Sequence, residues 1–308
     1  MANRNVNRRG FTKTIAMAGI GSAVLPVMKY EGKPVQNSLK APSPERLKIS
    51  LNAYSFDKPL RAGTMTIDNL LDFCARIGLD GVDLTGYYFP GYPIVPPDDF
   101  IYNVKKKAFR LGLGISGTGI RNDFTWADAG KRAEEKQLVK DWIIVTGKIG
   151  APVMRIFTGN LSKENFSWEE RAKWIADDIM ECTEFGKKHG VMIGIQNHND
   201  FLKTSSDSEK LMRMVQSDWN GLLIDIGSYH TPDPYKDIAI NSKHVISWQL
   251  KERMYINDKQ IDTDFSKIIA IARECGYAGY LPFEALGAGD PALLVEALFK
   301  KVQTAING

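Results

Sequence analysis

From Leu47 to the C-terminus, short apolar runs alternate with stretches whose apolar residues recur every three or four positions. The runs have the length of single strands, and the recurrence is that of one helix face. Strands are predicted at 47–52, 81–85, 112–117, 152–157, 191–196, 221–226, 244–250 and 279–284. Between them, Ile67, Leu70, Leu71, Cys74 and Ile77 share one helical face, as do Ala172, Ile175, Ile179 and Cys182. Further helices are predicted at 98–110, 130–148, 206–216, 234–241, 265–275 and 291–305. Gly78, Gly112, Gly150, Gly190 and Gly276 fall between a helix and the next strand, where a residue of positive φ ends the helix. Strict alternation implies parallel pairing, and eight units close into an α/β, (β/α)8 barrel over residues 47–308. An open doubly wound sheet competes, but its Gly-rich phosphate loop is missing after the first strand. The glycine run at 112–119 reads as an accident of composition, because no helix opens directly after it.

The first 46 residues do not continue this pattern. Arg8-Arg9-Gly10-Phe11 and Lys13 precede a mildly apolar, Ala- and Gly-rich stretch from Thr14 to Val27. Paired arginines ahead of a weak apolar segment resemble a twin-arginine export signal, so residues 1–30 are expected to address the chain to the periplasm. A disordered basic N-terminus is the plainer reading. The stretch is too short for an ordinary membrane span. No stable span is therefore expected once the leader is removed, although a retained leader would tether the protein to the membrane. Residues 31–46, with Pro34, Pro42 and Pro44 among polar residues, read as a linker.

The leader also changes the charge argument. Its five basic residues, with no acid, account for more than the whole formal net charge of +4. The domain beyond it is close to neutral, which argues against nucleic acid as a partner. Cys74, Cys182 and Cys275 have no metal-type spacing and read as core thiols.

In such a barrel the chemistry lies at the strand C-termini and in the loops beyond them. Four runs in the second half each end in a polar side chain: Gln196, Asp225, Gln249 and Glu284. Taken singly, each is a hydrogen-bonded strand end; their recurrence at equivalent places points to one shared pocket. Asn52, Tyr54, Asp83, Arg155, His198, His230 and Lys251 fall at neighbouring positions. Arg155 is placed to meet a carboxylate, an enolate oxygen or Asp83. The strand-to-helix loops are rich in aromatic residues, among them Tyr87, Tyr92, Phe124, Trp126, Trp168, Tyr229 and Tyr255. Such rings suit a carbohydrate at the barrel mouth, and equally suit loop packing or a homo-oligomer interface.

These residues resemble the sugar isomerase/epimerase superfamily built on the xylose-isomerase-like TIM barrel. The resemblance is carried by Ile193 to His198, Leu223 to Gly227, Trp248 to Glu252 and Gly279 to Glu284. Members of that family commonly show Glu-Asn-His, Asp-x-Gly, His-x-Lys-Asp and a final Glu at these places. There the Glu, Asp, His and Glu hold one divalent metal, and the two glutamates shuttle a proton between adjacent sugar carbons.

This chain keeps Asp225 and Glu284 but carries Gln196 for Glu and Gln249 for His. An amide oxygen can bind a hard cation, so the resemblance implies a Gln196-Asp225-Gln249-Glu284 site for Mg²⁺, Mn²⁺ or Ca²⁺ with weakened donors. An amide is no base near neutral pH, so Gln196 cannot replace a glutamate in proton transfer. Glu284, His198 and Lys251 are the remaining acid/base candidates. Arg155, Asp83, His230, Asn52 and Tyr54 are the candidates for binding substrate. The expected activity is proton transfer beside the carbonyl of a sugar or keto-sugar, as an isomerase or epimerase. A keto-sugar lyase or hydratase, or a non-catalytic carbohydrate-binding barrel, are the alternatives. An abasic-site endonuclease on the same fold lacks the basic charge and the extra His and Asp ligands.

Overall fold

Apolar runs that alternate with polar side chains give strands with two different faces. In the computed structural model, which describes residues 47–160, 165–198 and 201–308, eight strands close into a parallel barrel. They are β1 (Lys48–Asn52), β2 (Gly81–Thr85), β3 (Gly114–Gly119), β4 (Val153–Ile156), β5 (Met192–Gln196), β6 (Asn220–Asp225), β7 (Val245–Lys251) and β10 (Tyr280–Glu284). Two further strands, β8 (Arg253–Ile256) and β9 (Lys259–Asp262), form an antiparallel hairpin apart from the barrel sheet. Closure comes from parallel pairing of the first and last barrel strands, Lys48 to Leu51 against Tyr280 to Phe283. The predicted leader and linker at 1–46 lie outside the described residues.

The helices are α1 (Asp57–Arg61), α2 (Ile67–Arg76), α3 (Asp98–Arg110), α4 (Ala129–Ile149), α5 (Trp168–Lys188), α6 (Ser205–Met214), α7 (Pro234–Asn241), α8 (Phe265–Glu274) and α9 (Pro291–Asn307). Capping residues mark where most of them begin. Thr66, Asp128, Ser167, Thr204, Asp233, Asp264 and Asp290 each accept a backbone N–H in the first turn of the helix they precede. Each such cap contributes about 1 kcal/mol. The five inter-element glycines all have positive φ. Among the described residues, no helix is long and apolar enough to cross a membrane.

Between strands and helices lies the main core. Leu51, Val82, Leu84, Ile193, Ile195, Ile224, Trp248, Leu250 and Phe283 are fully buried there. The alternate positions, which alternation turns toward the barrel axis, are polar and also buried: Ser50, Asn52, Asp83, Ser116, Arg155, Gln196, Asp225, Gln249 and Glu284. Cys74 and Cys182 are buried in the core as expected, whereas Cys275, at the end of α8, is partly exposed.

The glycines of β3 are not accidental. At Gly117 a Cβ would lie 2.7 Å from Asp83 Oδ2, and at Gly119 it would lie 2.7 Å from Arg155 Nε. The strand has no side chains there because those of its neighbours cross it. Gly81, on β2, similarly yields to the Tyr280 ring, 2.9 Å from where its Cβ would be.

Candidate active site

The polar ends of β5, β6, β7 and β10 converge. Gln196 Nε2 donates to Asp225 Oδ2 at 2.8 Å, and Gln249 Nε2 makes a short hydrogen bond to Glu284 Oε2. A carboxylate oxygen only accepts, so both amides must turn their NH2 groups toward it. Lys251, two residues after Gln249 on the same face of β7, places its ammonium between the two acids. Nζ lies 2.9 Å from Asp225 Oδ2 and 3.7 Å from Glu284 Oε1. The remaining oxygen of Asp225, Oδ1, accepts the backbone N–H of Gly227 at 3.0 Å. Asn197 fastens β5 to β6 beneath this cluster, accepting from Asp225 N at 2.7 Å and donating to its carbonyl at 3.1 Å.

The electrostatics follow from burial and from this pairing. Burial is the largest influence on Glu284 and raises its pKa; Lys251 and Arg155 oppose the rise and Asp225 adds to it. Burial also disfavours charge on Lys251, but Asp225 and Glu284 outweigh it, and the ammonium is held well above its ordinary pKa. Lys251 is therefore a fixed cation at neutral pH, which makes it an acid or a charge and a poor base.

A cleft of roughly 230 Å³ opens above the cluster, lined by Asn52, Tyr54, Tyr87, Arg121, Arg155, Phe157, Gln196, His198, Gln249, Lys251, Glu284 and Leu286. A second, wider cleft of roughly 510 Å³ shares His198, Lys251 and Glu284 with it and adds His230 and Tyr255. A surface depression of roughly 660 Å³ lies by the N-terminal ends of β6 and β7, around Asn220 and Val245, away from this chemistry.

The residues expected from the sequence divide accordingly. Asn52 lines the cleft, but its Oδ1 is occupied by Tyr54 N at 2.9 Å and by Thr85 Oγ1 at 3.3 Å. Tyr54 lines it too. Arg155 donates to the Ile120 carbonyl and, at 3.0 Å, to the Tyr87 hydroxyl, and its guanidinium lies over Phe157. Asp83 does not line the cleft; it is buried among the barrel strands, where burial pushes its pKa up to about 6 against the opposing charge of Arg155. His198 is exposed at the mouth, edge-on to Phe157. His230 stacks on Tyr255 and bonds Asp258 through Nδ1 at 2.8 Å, so the hairpin carries one wall of the wider cleft. Most loop aromatics pack instead of lining the mouth: Phe124 and Tyr229 are fully buried, and Trp168 stacks on Phe201.

Arg121 and Phe157 line the cleft without having been singled out by the sequence. Arg121 follows β3 at the second residue beyond its end, a position hidden when the strand is set two residues too early.

The donor set does not fit a resident divalent cation. Of the four strand-end residues only Asp225 and Glu284 are carboxylates, both amides present N–H to them, and an ammonium already lies between them. Among the described residues, no group of three or more His, Cys, Asp or Glu side chains is placed to hold a metal.

A family model described as "Xylose isomerase-like TIM barrel" matches residues 71–301. No curated protein sequence matches the chain. Among solved structures, 3-keto-D-glucoside 4-epimerase from E. coli superposes with a TM-score of 0.66 at 12% identity, over 84% of this chain and 99% of that one. D-Psicose 3-epimerase from Clostridium cellulolyticum, solved with D-tagatose, gives 0.66 at 14% identity, over 84% and 97%. A xylose isomerase domain protein from Planctomyces limnophilus gives 0.63 at 12%, over 76% and 91%. At these identities the likeness is one of fold.

Proposed function

The chain belongs to the xylose isomerase-like TIM barrel family, and on that premise we propose that it is an isomerase-type enzyme moving a proton beside the carbonyl of a sugar or keto-sugar. The observation that carries this reading is Glu284, a buried carboxylate that ends the last barrel strand, opens into the cleft and stands beside a fixed ammonium. A carboxylate so placed can take the proton from a carbon next to a carbonyl. The C–H electron pair then becomes the carbon–carbon double bond of an enediolate, and the carbonyl pair moves onto oxygen. Return of a proton to the opposite face inverts the centre; return to the neighbouring carbon isomerises the sugar. Gln196 cannot supply that second proton, and His198, at the mouth of the same cleft, is the residue assigned to it. Arg155, Tyr87 and Tyr54 offer donors and ring faces for hydroxyls. Structural likeness to epimerases acting on 3-keto-D-glucosides and D-psicose supports a carbohydrate with a ketone. The paired arginines Arg8 and Arg9 support an exported location.

The test is proton exchange. D-Fructose and 3-keto-D-glucose incubated with the protein in D2O should lose the proton beside the carbonyl, seen by NMR, and Glu284→Gln should abolish the loss. Binding of these sugars without exchange by the wild type would identify a carbohydrate-binding barrel instead.

A further inference from the structure

Resting on the proton-transfer reading, we infer that Lys251 meets the charge that develops on the substrate's carbonyl oxygen, and that the site works without a divalent cation. The argument is one of donors and acceptors. Asp225 accepts three contacts, from Gln196, Lys251 and Gly227 N–H. Glu284 accepts Gln249 on one oxygen and faces Lys251 with the other. A metal entering between them would have to displace the ammonium and turn both amides. An ammonium has three protons, and the two acids take at most two. At least one remains for a ligand, and the Lys251 side chain is 22% exposed and lines both clefts. The substrate class is therefore a ketose or keto-sugar whose carbonyl oxygen reaches Nζ while the neighbouring C–H faces Glu284. The proton goes to the Glu284 carboxylate, its electron pair into the enediolate, and the resulting oxyanion is bound by the Lys251 N–H, with no change of oxidation state.

The experiment uses the full chain, treated with EDTA, with D-fructose and 3-keto-D-glucose as probes. Exchange should proceed at one rate in EDTA and in millimolar Mn²⁺. Lys251→Ala should lose about 100-fold or more, as when a single oxyanion donor is removed, and ethylammonium should restore part of it. Exchange that vanishes in EDTA and returns with Mn²⁺, or that survives Lys251→Ala, overturns the inference while leaving the proton-transfer reading intact. If neither probe exchanges under any condition, the proton-transfer reading fails, and Mn²⁺ titration followed by electron paramagnetic resonance still decides the cation question. It also decides if Lys251→Ala does not fold. The wild type should bind no Mn²⁺, and Gln196→Glu/Gln249→His, which restores two strong donors, should bind one equivalent. Stoichiometric Mn²⁺ on the wild type, lost in Asp225→Ala, overturns the inference.

Discussion

Lys251 and Asp225 form an ion pair at the ends of adjacent barrel strands, Nζ to Oδ2 at 2.9 Å, with the aspartate fully buried. Breaking such a pair from one side leaves a charge without a partner in a place water does not reach, which costs far more than the pair contributes when intact. Lys251→Met should therefore destabilise the protein by about 3 kcal/mol, the low end for a buried pair because the lysine is partly exposed. Asp225→Asn in the Lys251→Met background should recover part of that loss. Urea unfolding of the two single variants and the double variant gives the coupling; strictly additive losses would mean that the pair is not coupled.

Asp83 gives a pH-dependent prediction of the opposite sign. Its pKa rises from 3.8 to about 6, chiefly through burial, with Glu284 adding to the rise and Arg155 opposing it. The folded protein holds this proton more tightly than the unfolded chain. The stability contributed is complete below about 3.8 and is lost as pH rises through about 6. At neutral pH the buried charge then costs on the order of 3 kcal/mol. Asp83→Asn should raise the melting temperature at pH 7 and leave it nearly unchanged at pH 4. Equal effects at both values would place the cost in packing rather than in charge.

The barrel is legible in the sequence because each strand buries both faces, so an apolar run ending in a polar residue marks its length and its C-terminus. Gln196, Asp225, Gln249 and Glu284 are found that way. The register of β3 is not, because Gly114, Gly117 and Gly119 carry no apolar signature and their reason lies in Asp83, Arg155 and Tyr280, distant in sequence. Setting that strand at 112–117 instead of Gly114–Gly119 hides Arg121. The hairpin of β8 and β9 escapes for a different reason. Its strands are short, with no apolar run in β9, and its turn residues Asn257 and Asp258 adopt positive φ without a glycine to announce it. Nor does spacing say how side chains pair. That Lys251 reaches the mouth follows from alternation; that its ammonium lies between Asp225 and Glu284 depends on three strands meeting.

The crossing of β3 by Arg155 makes a glycine answerable for the cleft. A Cβ at Gly119 would sit 2.7 Å from Arg155 Nε, 2.8 Å from Cζ and 2.9 Å from Nη2. The guanidinium has little room to yield, being bonded to Ile120 and Tyr87 and lying 4.2 Å from the centre of the Phe157 ring. Gly119→Ala should therefore cost about 1–3 kcal/mol as overpacking and weaken sugar binding by displacing Arg155 from Tyr87. In an Arg155→Ala background the obstacle is gone, and the same Gly119→Ala change should be close to neutral in urea unfolding. If it costs as much there as in the wild type, the glycine is required by the β3 backbone, and Arg155 is not the reason for it.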